Sequence, residues 1–137
     1  MPHFFDTNIL IYSISRDPAE VAKRDRAIEL LDHDDGALSV QVLQEFYVQA
    51  TRATRRDSVP HEFAVGLVKA WTRFVVQETT LAVMMRALEI KAEHRFSYWD
   101  SAIVAAAEAL GCRTLYSEDM AHDRRIGGVR IVNPFAA

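Results

Sequence analysis

Four carboxylates stand where a folded chain could gather them: Asp6, Glu45, Asp100 and Asp119. Asp6 ends a short apolar segment, His3–Asp6, and Glu45 lies on a helical stretch. Asp100 falls in the first turn of an apolar, Ala-rich helix, and Asp119 comes after the segment Thr114–Tyr116. Carboxylates brought together repel one another and raise each other's pKa values. A hard divalent cation resolves that repulsion, because magnesium and manganese prefer oxygen ligands and keep part of their water shell. Such a centre can activate water for attack on a phosphodiester. No Lys or Arg accompanies the acids in their local motifs, so ion pairing is not the obvious alternative. Each acid taken alone also has an ordinary reading. Asp6 could form a turn, Asp100 could complete a cap with Ser97, and Asp119 could cap the next segment of chain. Glu45 falls nearly opposite the stripe Leu43, Phe46, Tyr47 and Ala50, as a solvated residue would.

Other chemistries lack their residues. The five histidines (His3, His33, His61, His94, His122) show no HxxxH or HExxH spacing, which argues against a zinc hydrolase. No GxxxxGK[ST] or GxGxxG loop is present, and no Ser or Cys nucleophile motif. An aspartyl-nucleophile phosphatase is disfavoured because Asp6-Thr7-Asn8 lacks the second acid such enzymes use. Cys112 is the only cysteine, so no internal disulfide or CxxC metal pair can form. A reducing cytoplasm is the expected location.

These residues need elements to position them. A chain of 137 residues, half of them hydrophobic and about a quarter charged, is expected to form one domain over residues 1–137. No apolar run approaches the ~20 residues of a membrane span, and the N-terminus does not read as a secretory signal. After the His3–Asp6 strand, Asn8–Ile14 could be a short helix. Asp17-Pro18-Ala19-Glu20 predicts a capped helix start, with the helix running to about Leu31. Ala37–Ser39 and Val75–Gln77 read as strands. Ser39, Pro60 and Thr80 open helices, the second with Phe63, Leu67, Ala70, Trp71 and Phe74 on one stripe. Ser97–Leu110 is the most apolar helix, with Trp99, Ile103, Ala106 and Leu110 as its stripe, and Gly111 ends it. Thr114–Tyr116 and Val129–Val132 are the last two strands, with Gly127-Gly128 a turn before the second. Short apolar strands alternating with helices indicate a mostly parallel sheet covered on both faces. Ligands then bind outside the carboxyl ends of the strands, where the four acid-bearing segments could converge.

Four segments together resemble the PIN-domain family, and within it the VapC-type toxins. They are Phe5-Asp6-Thr7-Asn8, Ser39-Val40-Gln41-Val42-Leu43-Gln44-Glu45-Phe46, Ser97-Tyr98-Trp99-Asp100-Ser101-Ala102 and Leu115-Tyr116-Ser117-Glu118-Asp119-Met120. Their order and spacing agree across essentially the whole chain. The resemblance implies an α/β fold, a three-layer α/β/α sandwich with a mostly parallel central sheet. It implies a nuclease that hydrolyses RNA with Mg2+, or Mn2+, held by acidic side chains. Residue by residue, Asp6, Asp100 and Asp119 correspond to metal ligands, and Glu45 to a ligand bound directly or through water. Asn8 and Ser117 match supporting polar positions that orient the acids. Asp119 rather than Glu118 fits the Thr/Ser-x-Asp pattern, which leaves Glu118 as a solvated neighbour. Asp123 is an additional acid near the metal or a surface residue beside His122 and Arg124. The implied partners are a VapB-like antitoxin that blocks the site and a second copy in a homodimer. Trp71, Phe74, Met84 and Met85 read as core, with a dimer interface or antitoxin groove as the alternative.

The formal net charge is −3, and setting the four acids aside leaves +1. Three basic groups could meet phosphate: Arg52, Arg55 and Arg56; Lys91 and Arg95; Arg124 and Arg125. Neutralising the group that contacts RNA is expected to weaken binding and flatten its salt dependence. Binding left intact by removal at all three places would exclude them.

Overall fold

The computed structural model describes residues 2–136. Six strands form one sheet: His3–Phe5 (β1), Gly36–Ser39 (β2), Val75–Gln77 (β3), Thr114–Tyr116 (β4), Arg125–Ile126 (β5) and Val129–Val132 (β6). Their order is β3-β2-β1-β4-β6-β5. Every neighbouring pair is parallel except the β5–β6 hairpin. Parallel strands are covered on both faces, so their apolar residues run on without alternating. Phe4 and Phe5 are both buried, and all four residues of β2 are buried.

Six α-helices connect these strands: Thr7–Ser13 (α1), Val21–Leu31 (α2), Val40–Thr51 (α3), His61–Trp71 (α4), Leu81–His94 (α5) and Tyr98–Ala109 (α6). From β1 the chain moves outward through β2 to β3, then returns to place β4 on the other side of β1. Parallel crossovers are right-handed, so the outward and returning helices lie on opposite faces. The packing agrees: α1 meets α2 and α3, α3 meets α4, and α5 runs along α6. The expected α/β/α sandwich is therefore present. None of the described helices is long and apolar enough to cross a membrane.

Local chemistry sets the helix starts. Ser39, Thr80 and Ser97 each accept a hydrogen bond from the backbone N–H three residues on, at 3.1–3.2 Å. Asp17 behaves differently from expectation. It caps a 3-10 turn, Pro18–Glu20, by accepting from Ala19 N–H, and α2 starts only at Val21. Glu20 does not close a capping box, because its carboxylate accepts from Ser15 Oγ at 2.6 Å. The strand β5 was not expected, since two residues carry no periodic pattern. It is defined by pairing with β6 across Gly127-Gly128, where Gly127 has φ +56°.

The core settles two of the predicted stripes differently. Ser101–Ala107 of α6 are all buried, their mostly small side chains letting the sheet and α5 approach closely. Trp99 is not part of that buried run and is 64% exposed. In α4, Ala64 and Trp71 point inward while Phe63 and Ala70 face solvent. Trp71 and Phe74 are core residues, as expected, with Trp71 edge-on to Phe46 at 4.7 Å between centroids. Met84 and Met85 are exposed, so core packing does not account for them.

Gly36 opens β2 beneath two aromatic rings. A Cβ there would lie 2.6 Å from Phe74 Cε1 and 2.7 Å from Phe5 Cε2, closer than packed side chains tolerate. Gly36→Ala is expected to destabilise the fold by about 1–3 kcal/mol, read from the midpoint of denaturant unfolding. An unchanged midpoint would mean that both rings move aside freely.

Candidate active site

The strand order reverses around β1: β2 pairs on one side and β4, reached from the far edge, on the other. This switch point opens a crevice at the carboxyl ends of β1 and β4. Asp6 sits there, immediately after β1. Its N–H continues the ladder by donating to Tyr116 carbonyl at 2.9 Å, which fixes the backbone. Asp6 Oδ1 accepts from Thr7 N–H at 2.7 Å. Asp6 Oδ2 accepts from Ser117 Oγ at 2.6 Å and Asn8 Nδ2 at 3.3 Å. Burial pushes the Asp6 carboxyl up to about 7, against the hydrogen bonds from Ser117 and Thr7, with the charges of Glu45 and Asp100 adding to the rise.

Asn8 and Ser117 join the first helix to the loop after β4. Asn8 Nδ2 donates to Asp119 Oδ2 at 3.1 Å, while Asn8 Oδ1 accepts from Glu118 N–H at 3.2 Å. Ser117 Oγ accepts from Asp119 N–H at 3.2 Å. Both residues thus hydrogen-bond directly to the candidate acids. Two further residues do comparable work and were missed. Thr7 Oγ donates to Glu45 Oε2 at 2.9 Å, and Gln41 Nε2 donates to Glu45 Oε1 at 2.8 Å. Glu45 is therefore half-buried with both oxygens engaged, not a solvated residue. Gln41 was legible in principle, since residues four apart on a helix are neighbours. Thr7 carried no comparable signal, because its partner lies 38 positions away.

Asp100 enters from the start of α6. Burial raises its carboxyl pKa, and the charges of Asp119 and Glu45 raise it further, against a hydrogen bond from Ser97. Asp6, Glu45, Asp100 and Asp119 thus come from four separate segments and act on one another electrostatically. Among the described residues, none of the four forms an ion pair with Lys, Arg or His.

The neighbouring acids are disposed otherwise. Glu118 is not solvated: it accepts from Lys23 Nζ and from Tyr12 Oη, on α2 and α1. Burial would raise its pKa, but these two partners outweigh that and hold it below the ordinary range. Asp123 has a left-handed backbone, φ +67°, and pairs with Arg130 of β6. It is not among the charges that bear on Asp100.

The donor set fits a hard divalent ion. Its candidate donors are all carboxylate oxygens, and none is paired with Lys, Arg or His among the described residues. Among the described residues no group of three or more His, Cys, Asp or Glu side chains is placed to hold a metal ion by itself. Magnesium keeps several waters and takes one or two carboxylates directly, so fewer than three close acids would suffice for it.

Of the basic groups, Arg55 is paired with Asp57, and Arg124 lies over the Phe96 ring and against His94. Arg52 is exposed and lines a groove that also contains Glu45.

The PIN domain family model matches residues 3–126. Comparison with curated protein sequences gives no match. Among solved structures, the chain is similar to a toxin–antitoxin complex from Klebsiella pneumoniae, with 20% identity and a TM-score of 0.73 over 98% of this chain and 99% of that one. It is also similar to Mycobacterium tuberculosis VapC20, described as a Sarcin-Ricin loop cleaving toxin. There the identity is 20% and the TM-score 0.66, covering 85% of this chain and 90% of that chain. FitAcB from Neisseria gonorrhoeae aligns with 18% identity and a TM-score of 0.67, over 98% and 99% of the two chains. At these identities the likeness establishes the fold.

The Asp6 shift has a consequence for metal-free protein. The folded chain holds that proton up to about pH 7, whereas the unfolded chain releases it near 3.8. Across this window the folded state binds more protons, so the stability owed to Asp6 falls as pH rises and is lowest above about 7. The melting temperature of Asp6→Asn, compared with the parent in EDTA, is expected to gain on the parent as pH rises through this window. A difference that stays flat with pH would exclude a raised Asp6.

Proposed function

The chain belongs to the PIN-domain family, and on that premise we propose that it is a metal-dependent endoribonuclease, the toxin of a VapBC-type toxin–antitoxin module. One observation supports the chemistry: at the carboxyl end of the sheet the charges of Glu45 and Asp100 bear on Asp6 and those of Glu45 and Asp119 on Asp100, and none of the four acids pairs with a cation among the described residues. Asp6, Asp100 and Asp119 would hold Mg2+, or Mn2+, with Glu45 bound directly or through water. When bound, such an ion supplies a nucleophilic water and neutralises charge developing on a phosphodiester.

The chain's own residues do the rest. Ser117 and Asn8 direct Asp6 Oδ2, and Asn8 also directs Asp119. Thr7 and Gln41 fix the Glu45 carboxylate. These contacts spare the acids from finding their positions anew when substrate arrives. Asp119 is exposed and Asp100 half-buried, so substrate approaches from their side, with Asp6 as the buried floor.

The toxin role rests on similarity to a solved toxin–antitoxin complex and to a solved Sarcin-Ricin loop cleaving toxin. Surfaces for partners are present. Leu81, Met84, Met85 and Leu88 are exposed along α5. A separate apolar groove of about 580 Å³ runs between α3 and α4, lined by residues including Leu43, Val48, Val65 and Val68. An antitoxin and a second copy of the chain are the proposed occupants of such surfaces, in the cytoplasm.

Purified protein should cleave RNA with magnesium or manganese and stop in EDTA. Asp6→Ala and Asp100→Ala, purified identically, should each lose at least about a hundredfold in rate, as expected for groups acting directly on the chemistry. Equal cleavage by all three proteins would identify a contaminant, and no cleavage of a broad RNA panel by the parent would overturn the nuclease assignment.

A further inference from the structure

Trp99 precedes Asp100 and is 64% exposed, although it is the largest apolar side chain on the most buried helix. Its indole forms one wall of a groove of about 400 Å³. The other wall is α3 with the residue that follows it: Gln41, Gln44, Glu45, Val48 and Gln49, then Arg52. Two features connect this groove to the candidate active site. Glu45 belongs to both, and Gln41 Nε2 bridges Glu45 Oε1 and the Trp99 carbonyl, at 2.8 and 3.1 Å. The groove is therefore a fixed extension of the acidic centre.

The wall chemistry is selective. Val48 and the indole provide apolar faces, while Gln44 and Gln49 carry amides able to donate and accept. Arg52 supplies a cation in a region otherwise dominated by carboxylates. An aromatic face, amides and one guanidinium match a nucleotide: a base stacks on the indole, amides meet its edge, and the guanidinium meets a phosphate. A paired base in an RNA duplex cannot fit, because its faces are covered by neighbours and its major-groove edge is out of reach.

We propose that the groove between Trp99 and α3 is a subsite for one unpaired nucleobase, adjoining the phosphodiester that is cut. This rests on the ribonuclease reading and adds to it which residues hold the nucleotide beside the cut. Trp99 is a substrate-binding residue there, and Arg52 a phosphate contact.

The test compares the parent with Trp99→Ala, Trp99→Phe and Arg52→Gln on short single-stranded RNA, on the same RNA with single abasic positions, and on duplex RNA. Binding is followed by anisotropy across salt concentrations, cleavage by initial rates with magnesium, and oligomeric state by sedimentation. Trp99→Ala should weaken binding roughly ten- to a hundredfold and act on KM more than on kcat, while Trp99→Phe keeps most affinity. The salt slope should stay unchanged in Trp99→Ala but fall by roughly 0.7 in Arg52→Gln. One abasic position should remove the difference between parent and Trp99→Ala, which a structural defect would not do. Cleavage by the parent with no Trp99 effect would overturn the subsite while leaving the nuclease standing. A Trp99→Ala chain that changes oligomeric state, with its defect persisting on abasic RNA, would instead assign Trp99 to a protein interface. A parent that neither binds nor cleaves any RNA would overturn both.

Discussion

The arrangement turns on a buried carboxylate with no compensating cation among its described neighbours. Asp6 sits at the end of the central strand, desolvated, with Glu45 and Asp100 adding negative potential. Left to itself such a group neutralises, and it is retained in place only by hydrogen bonds. Three donors converge on it: Thr7 N–H, Ser117 Oγ and Asn8 Nδ2. The cost of gathering like charges is thus borne by a rigid sheet edge and a dense set of polar contacts.

The same contacts sort the acids by role. In the loop after β4, adjacent carboxylates diverge. Glu118 is drawn to Lys23 and Tyr12, while Asp119 is drawn to Asn8. Asn8 serves both sides of this divergence, its Nδ2 on Asp119 and its Oδ1 on the Glu118 backbone. The Lys23 ammonium also lies 5.0 Å from the Tyr12 ring centroid and 5.8 Å from that of Phe135. A cation close to the site is thereby occupied with its own carboxylate and two rings, and pairs with none of the four central acids.

Some of the exposed apolar side chains form a stripe on one helix, while others are scattered. Leu81, Met84, Met85 and Leu88 share α5, whose inner face is held by Val83, Ala87 and Ile90. A helix with apolar residues on both faces is usual where a second surface covers it. Trp99 lies between this helix and α3, bordering a second small cavity with Val83 and Met84. The acidic centre thus opens toward surfaces suited to contact.

Much of the fold was legible in the chain because its signals are local. Consecutive apolar residues in β1 and β2, and the caps Ser39, Thr80 and Ser97, depend only on near neighbours and hold as expected. Asp6, Asp100 and Asp119 could be picked out because each comes after a strand or opens a helix, where a parallel sheet directs its ligands, and Glu45 because it lies on the helix that follows β2. Tertiary structure decided what depends on distant partners. It drew Glu45 into hydrogen bonds with Thr7, paired Glu118 with Lys23 across 95 positions, and gave Asp123 to Arg130. It also turned Trp99 outward, since helical spacing marks which residues share a face but not how far the covering layer extends. Residue type and period are written locally; charge pairing and burial are properties of what the fold brings alongside.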